Sequence, residues 1–276
     1  MEDKKYELLK DDCIKLRGVK LYKIRALKDF KGILKGTIGG YIEKEDNLSQ
    51  EDNCWVFQDA EVHGNARVHG NAEVHGNARV HGNARVYGNA RVYGNARVHG
   101  NARVYGNARV YGNARVYGNA VVFENAAVCE SAVVCGNTTV FGKAEVYGSA
   151  EVRGYAAVFE NAKVYGGAEV YGSAEVFGKA EVRGYAMLYG KVTICGNATI
   201  SNETDYTVFK NNWSSGRYFT WTRSNDMWVV GCFYGTSERL IEKAYKDSKL
   251  SGDMYKMYVE FVEKIKERLK EEENDG

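Results

Sequence analysis

The sequence predicts an all-β solenoid carrying an N-terminal cap and a small C-terminal α+β module. Three observations predict it. A valine recurs at every sixth residue from Val56 to Val182, and Leu188, Ile194 and Ile200 continue the series, giving twenty-five consecutive hexads without an insertion. From Ala60 onward a small residue sits two places before each marker, alanine everywhere except at Thr138 and Val192. The chain contains no proline and 31 glycines.

Each element of the hexad has a physical role. Alternation in Ala-x-Val-x puts Ala and Val on one side of a short strand and the two x residues on the other. Six residues cannot form a hairpin and return, but they can form one side of a coil that stacks on the next. The interior is then a narrow prism filled by valine, with alanine where the walls approach most closely. The Gly-Asn pair that usually follows is expected to turn the corner, because both residues tolerate positive φ. Asparagines at equivalent corners are expected to stack in hydrogen-bonded ladders. Proline is excluded because nearly every amide is needed for pairing.

The pattern divides the chain into a cap over 1–53, the solenoid over 54–201 and a C-terminal module over 202–276. In the cap, β-rich stretches around Lys20–Arg25 and Gly39–Glu43 flank turns at Lys31–Gly32 and Lys35–Gly36. After Ser201 the period ends. The stretch 205–235 predicts three short strands with a hairpin tip at Asn225–Asp226. Two helices follow. Thr236 or Ser237 opens the first, which places Leu240, Ile241, Ala244 and Tyr245 on one face. Ser251 caps the second, whose stripe is Met254, Met257, Tyr258, Phe261, Val262, Ile265 and Leu269. The tail KEEENDG is expected to fray.

The repeat resembles the hexapeptide-repeat proteins. That resemblance implies a left-handed parallel β-helix with three hexads per coil, and hence about eight coils at the usual strand spacing. The segments LYKIRALKDF and GGYIEKEDNLSQEDNCWVF resemble the N-terminal region of uncharacterised bacterial and phage members, some of them described as transferases. The C-terminal segment resembles pieces of phage and prophage proteins. The best-known members are acyltransferases using acetyl-CoA or acyl-carrier protein, with a histidine general base beside a protruding loop or a neighbouring subunit. Here no loop interrupts Val56 to Ile200, so no catalytic residue, cofactor or metal site is assigned. An acyl-CoA-dependent acyltransferase with an intersubunit site stands as the alternative.

Three hexads per coil place residues eighteen apart on one wall. The Phe wall carries His69, Tyr87, Tyr105, Phe123, Phe141, Phe159 and Phe177 beside Arg67, Arg85, Arg103, Val121, Thr139, Ala157 and Glu175. Its middle is apolar outward as well as inward. Phe123, Phe141, Phe159 and Phe177 are therefore expected to form an oligomer interface, in a homodimer or homotrimer, with cover by the C-terminal helices as the alternative. The His wall carries His63, His81, His99, Tyr117, Cys135, Arg153 and Tyr171. Charge is divided along the axis: residues 61–120 hold eight arginines against Glu61 and Glu73, whereas 121–190 hold eight glutamates against five basic residues. Arg79, Arg97 and Arg115, with His81, His99 and Tyr117, form a candidate anion-binding wall. The other reading is a solvated face copied by repeat duplication.

The C-terminal module is the least repetitive part. Trp213, Ser214, Ser215, Arg217, Trp221 and Arg223 are candidate contacts to an anionic or planar ligand such as a nucleotide or nucleic acid. The competing reading is that its tryptophans build a small core, as expected for Trp228. The overall expectation is a non-catalytic oligomeric scaffold or binding protein, phage- or prophage-encoded on the resemblance above, displaying this module; one such role is antagonism of a host-defence signal. The formal net charge is +2, six cysteines show no metal or disulfide spacing, and no apolar run approaches ~18 residues. A bacterial cytoplasm is the expected location.

Overall fold

The computed structural model describes residues 4–275, with side chains from Lys4 to Glu271. Twenty-five two-residue strands, from Trp55–Val56 to Thr199–Ile200, fall into three parallel walls. Register runs from each residue to the one eighteen further on: Arg91 pairs with Arg109 and Val92 with Val110. Each coil therefore uses three hexads. The marker column and the alanine column are buried throughout, and full burial of a valine contributes roughly 1.5–3 kcal/mol. Along the wall the Arg97 amide donates to the Ala114 carbonyl at 2.9 Å, the His99 amide to Val116 at 3.0 Å and the Asn101 amide to Gly118 at 2.7 Å.

At the corners only the first residue takes positive φ. Gly100 and Gly118 have φ of 68° and 72°, and a Cβ on Gly100 would lie 2.9 Å from the Gly118 nitrogen. Where glycine is replaced, Gln58, Glu124, Glu130 and Glu160 adopt the same conformation. The asparagines do not share it, contrary to the sequence expectation. Their side chains instead run along the corner: Asn83 Nδ2 donates to Asn101 Oδ1 at 3.0 Å, and Asn101 to Asn119 at 2.9 Å.

The solenoid begins earlier than its hexads. Strands β1 (Tyr6–Leu16), β2 (Val19–Ala26) and β3 (Ile38–Ile42) extend one wall. Tyr41–Ile42 of β3 pair with Glu61–Val62, Leu48 bridges to Val68, and Trp55–Val56 pair with Glu73–Val74. This irregular coil brings the total to about nine. Its side chains satisfy amides of the next coil: Glu43, Asp52 and Gln58 accept from Gly64, Gly70 and Gly76. β1 was not legible, because the charged run KDDC interrupts its alternation. The run is a bulge, with Leu9 opposite Lys23 but Cys13 opposite Tyr22. A bulge bends its strand, and the hairpin closes on Arg17–Gly18, both at positive φ as a type I′ turn requires.

At the other end four antiparallel strands, Tyr206–Lys210, Tyr218–Thr222, Met227–Val230 and Phe233–Gly235, replace the three expected, the last returning through a tight turn at Gly231. They close the final coil with side-chain oxygens. The amides of Thr193, Thr199 and Ser201 donate to Thr220 Oγ1, Ser224 Oγ and Asp205 Oδ2 at 3.3, 2.7 and 2.6 Å. Helix α1 (Ser237–Asp247) and helix α2 (Lys249–Asp275) pack on this sheet. α2 starts ahead of Ser251, and it continues through the expected fray to Asp275; Gly276 lies outside the described residues. Its buried face is Tyr255, Val259 and Val262, while Met257 and Phe261 are 62% and 52% exposed. Among the described residues no helix is long and apolar enough to cross a membrane.

Candidate anion-binding groove

The bent hairpin brings its tip over the His wall. Leu16, Arg17 and Val19 enclose, with His63, Arg79, His81, Arg97, His99, Arg115 and Tyr117, a groove of about 440 Å³. The three wall arginines are successive rungs of one column, Arg97 pairing with Arg79 on one side and Arg115 on the other. Parallel strands set them ~4.8 Å apart. Arg79 is tied to Glu61, Nε to Oε2 at 3.1 Å. Among the described residues Arg17, Arg97 and Arg115 have no carboxylate within 4 Å. The structure therefore gathers four guanidiniums on one cavity with one carboxylate against them.

The imidazoles beside them are kept uncharged. His63, His81, His99 and Tyr117 stack face to face, with centroids 4.9–5.0 Å apart. Burial lowers the pKa of all three histidines. For His81, burial together with its histidine neighbours and then Arg17 and Arg79 brings it down to about 4. Stacking has two consequences. The ring nitrogens lie on parallel edges and do not converge as metal ligands do. Within the stack the ring faces cover one another, so His81 and His99 have no free face for a nucleobase, and the polar groups of the groove are its guanidiniums and ring edges.

The remaining predicted residues are placed differently. Trp221 is fully buried, its Nε1 donating to Asp226 Oδ1 at 2.8 Å. It is a core residue, which corrects its assignment as a ligand contact; Trp228 is buried beside the same sheet. Trp213 is half-buried and stacks on Tyr258 at 5.6 Å. Ser214, Ser215 and Arg217 border a separate cleft of about 310 Å³ with Lys243, Asp247 and Tyr255. Arg223 is half-buried, and its amide donates to the Asp205 carbonyl. It lines neither cleft. Phe123, Phe141, Phe159 and Phe177 form a ladder with centroids 4.7–5.0 Å apart and remain partly exposed along its length.

Sequence reading missed Arg17, and it placed His63 on the wall without including it in the anion site. The signal for Arg17 was an Arg-Gly pair between two β-prone runs, which is a hairpin turn. A third cleft, on the wall of Phe57, His75, Tyr93 and Tyr111, holds a pairing that is absent elsewhere among the described histidines. His75 Nε2 lies 3.2 Å from Glu73 Oε2, and the ring stacks on Phe57 at 4.1 Å. Lys31 and Arg91 hold the same carboxylate at 2.9 and 3.2 Å.

Comparison with known proteins points to the repeat. The family described as YdcK Beta solenoid repeat matches residues 84–100, 102–116 and 114–130. A stretch of 41 residues is 44% identical to the Uncharacterized acetyltransferase YdcK of Escherichia coli (strain K12). The match covers 15% of this chain and 13% of that protein. Repeat, register and matches together make the chain a hexapeptide-repeat β-solenoid.

Proposed function

We propose that this solenoid is a non-catalytic binding protein whose groove on the His wall takes a phosphate- or carboxylate-bearing ligand. The carrying observation is the convergence of Arg17, Arg79, Arg97 and Arg115 on one cavity beside three uncharged imidazoles. Guanidinium forks match the oxygen geometry of both anions. The rungs repeat, so an extended anion gains several equivalent contacts. A nucleotide or nucleic acid is held by its phosphates here, since the stacked rings leave its bases without a platform. The continuous pairing of the body supports reading it as a scaffold for this groove.

The test is calorimetric titration with inorganic tripolyphosphate. Binding that falls as salt rises is expected, as ionic contacts are screened. Arg97→Glu together with Arg115→Glu abolishes it. Binding unaffected by that pair refutes the groove.

One observation favours a second reading, an acyltransferase. Glu73 orients the His75 imidazole, and an oriented histidine is the general base such chemistry needs. It would take the proton from an acceptor hydroxyl or amine as that group attacks a thioester carbonyl, with the thiol as leaving group. Release of free CoA from acetyl-CoA, lost in His75→Ala, supports that reading over the binding one.

A further inference from the structure

We infer that the Phe wall is the contact surface of an antiparallel dimer of this chain, with its two-fold axis lying along the strand that carries Thr139 and Phe141. The argument rests on the column order of that wall and is independent of the groove, which lies on a different wall. From rung to rung the outward column reads Arg85, Arg103, Val121, Thr139, Ala157, Glu175, as the paired strands show. The second outward column is the stacked ladder from Tyr105 through Phe123, Phe141 and Phe159 to Phe177.

A rotation about the strand direction keeps each column facing itself and reverses the order of rungs. Thr139 then meets Thr139 of the partner subunit, Val121 meets Ala157 of the partner subunit, and Arg103 meets Glu175 of the partner subunit. The aromatic column matches as well, Phe123 against Phe159 of the partner subunit and Tyr105 against Phe177 of the partner subunit. The apolar rungs fall at the centre and the opposite charges on the rim, which is how stable interfaces are arranged. Glu124 and Glu160 sit at the exposed corner of these rungs. They come together at the edge of the contact, with Lys143 of both chains between them. Isologous contacts of this kind are the commonest in homodimers.

Charge decides the direction. A parallel pair, or a three-fold bundle with parallel axes, keeps equal rungs level, so that Arg67, Arg85 and Arg103 gather with their own copies at one end and Glu175 with its own at the other. Such rows of like charge are repulsive at close range. Only the antiparallel arrangement sets the basic half of one prism against the acidic half of the other. The wall is open to receive a partner, because the terminal module seats on the last coil and the hairpin on the His wall.

The test is sedimentation equilibrium on the full chain and three variants. The wild-type chain is expected to be a dimer. Arg103→Glu and Glu175→Arg each place like charges at both ends of the contact and should weaken association about tenfold or more. The double variant carrying both changes restores the pairs in reversed sense and should return to within about threefold of wild type. Both positions are exposed, so folding is checked simply by unchanged circular dichroism. A monomeric or trimeric wild-type chain overturns the inference. Single swaps without effect overturn it too, since in a parallel dimer each merely exchanges one like-charge contact for another. A double variant as weak as the singles does the same.

Discussion

The rings of His81 and His99 stack 4.9 Å apart with their planes 1° from parallel. Each therefore loses part of its hydration to the other, and a proton on either must sit against a neighbouring imidazole and a column of arginines. This is why the His wall is basic without its histidines being charged.

Stability should decline in acid through this stack. The folded pKa values of His63, His81 and His99 lie below the unfolded value of 6.5. Below that value the unfolded chain binds protons that the folded chain refuses, so stability is lost as pH falls from about 6.5 toward 4. Thermal unfolding at stepped pH measures it. Carboxylates titrate in the same range, and the control is His81→Tyr, which keeps the stack as Tyr117 does. That variant should lose less stability than wild type over the same interval.

The C-terminal end of the solenoid should depend on one carboxylate. Asp205 Oδ2 accepts from the amides of Ser201 and Asn202 at 2.6 and 3.1 Å. Asp205→Ala leaves these donors unpaired, a loss of roughly 1–3 kcal/mol where water does not replace the carboxylate. Hydrogen exchange at Ser201 and Thr199 should accelerate, with the coils around Val110 unaffected. Uniform acceleration along the prism would show that the end is not a separate unit.

Whole coils should be removable. Deleting 85–102 joins Ala84 to Arg103 and keeps every column in register, whereas deleting six residues turns the terminal module by one wall. The first variant should retain a cooperative melt, and the second should lose the contacts of Thr193 with Thr220 and of Thr199 with Ser224. Equal behaviour of the two would contradict the eighteen-residue coil.

The prism was legible because its period is a physical requirement at every position: valine for the interior, alanine for the close approach, glycine for the corner. The groove was half legible. Arg79, Arg97, Arg115, His81, His99 and Tyr117 stand in two columns that spacing alone defines. Arg17 was not, since its place depends on a bulge at Lys10–Asp12 that no periodicity announces. The aromatic residues of the C-terminal module misled for a related reason. Trp221 and Arg217 belong to the same short segment, but alternation along the strand sends the former into the core and the turn leaves the latter outside. In α2 the apolar residues are spread around more than half of the helix circumference, so composition could not say which side the sheet would claim.

The most direct test of the groove is a nuclear magnetic resonance titration of the imidazoles with and without tripolyphosphate. In the free protein His81 should titrate near 4, with His63 and His99 also below 6.5. An anion held by Arg17, Arg97 and Arg115 favours the protonated rings, so all three pKa values should rise on binding. Three unchanged values in the presence of saturating ligand would contradict the account.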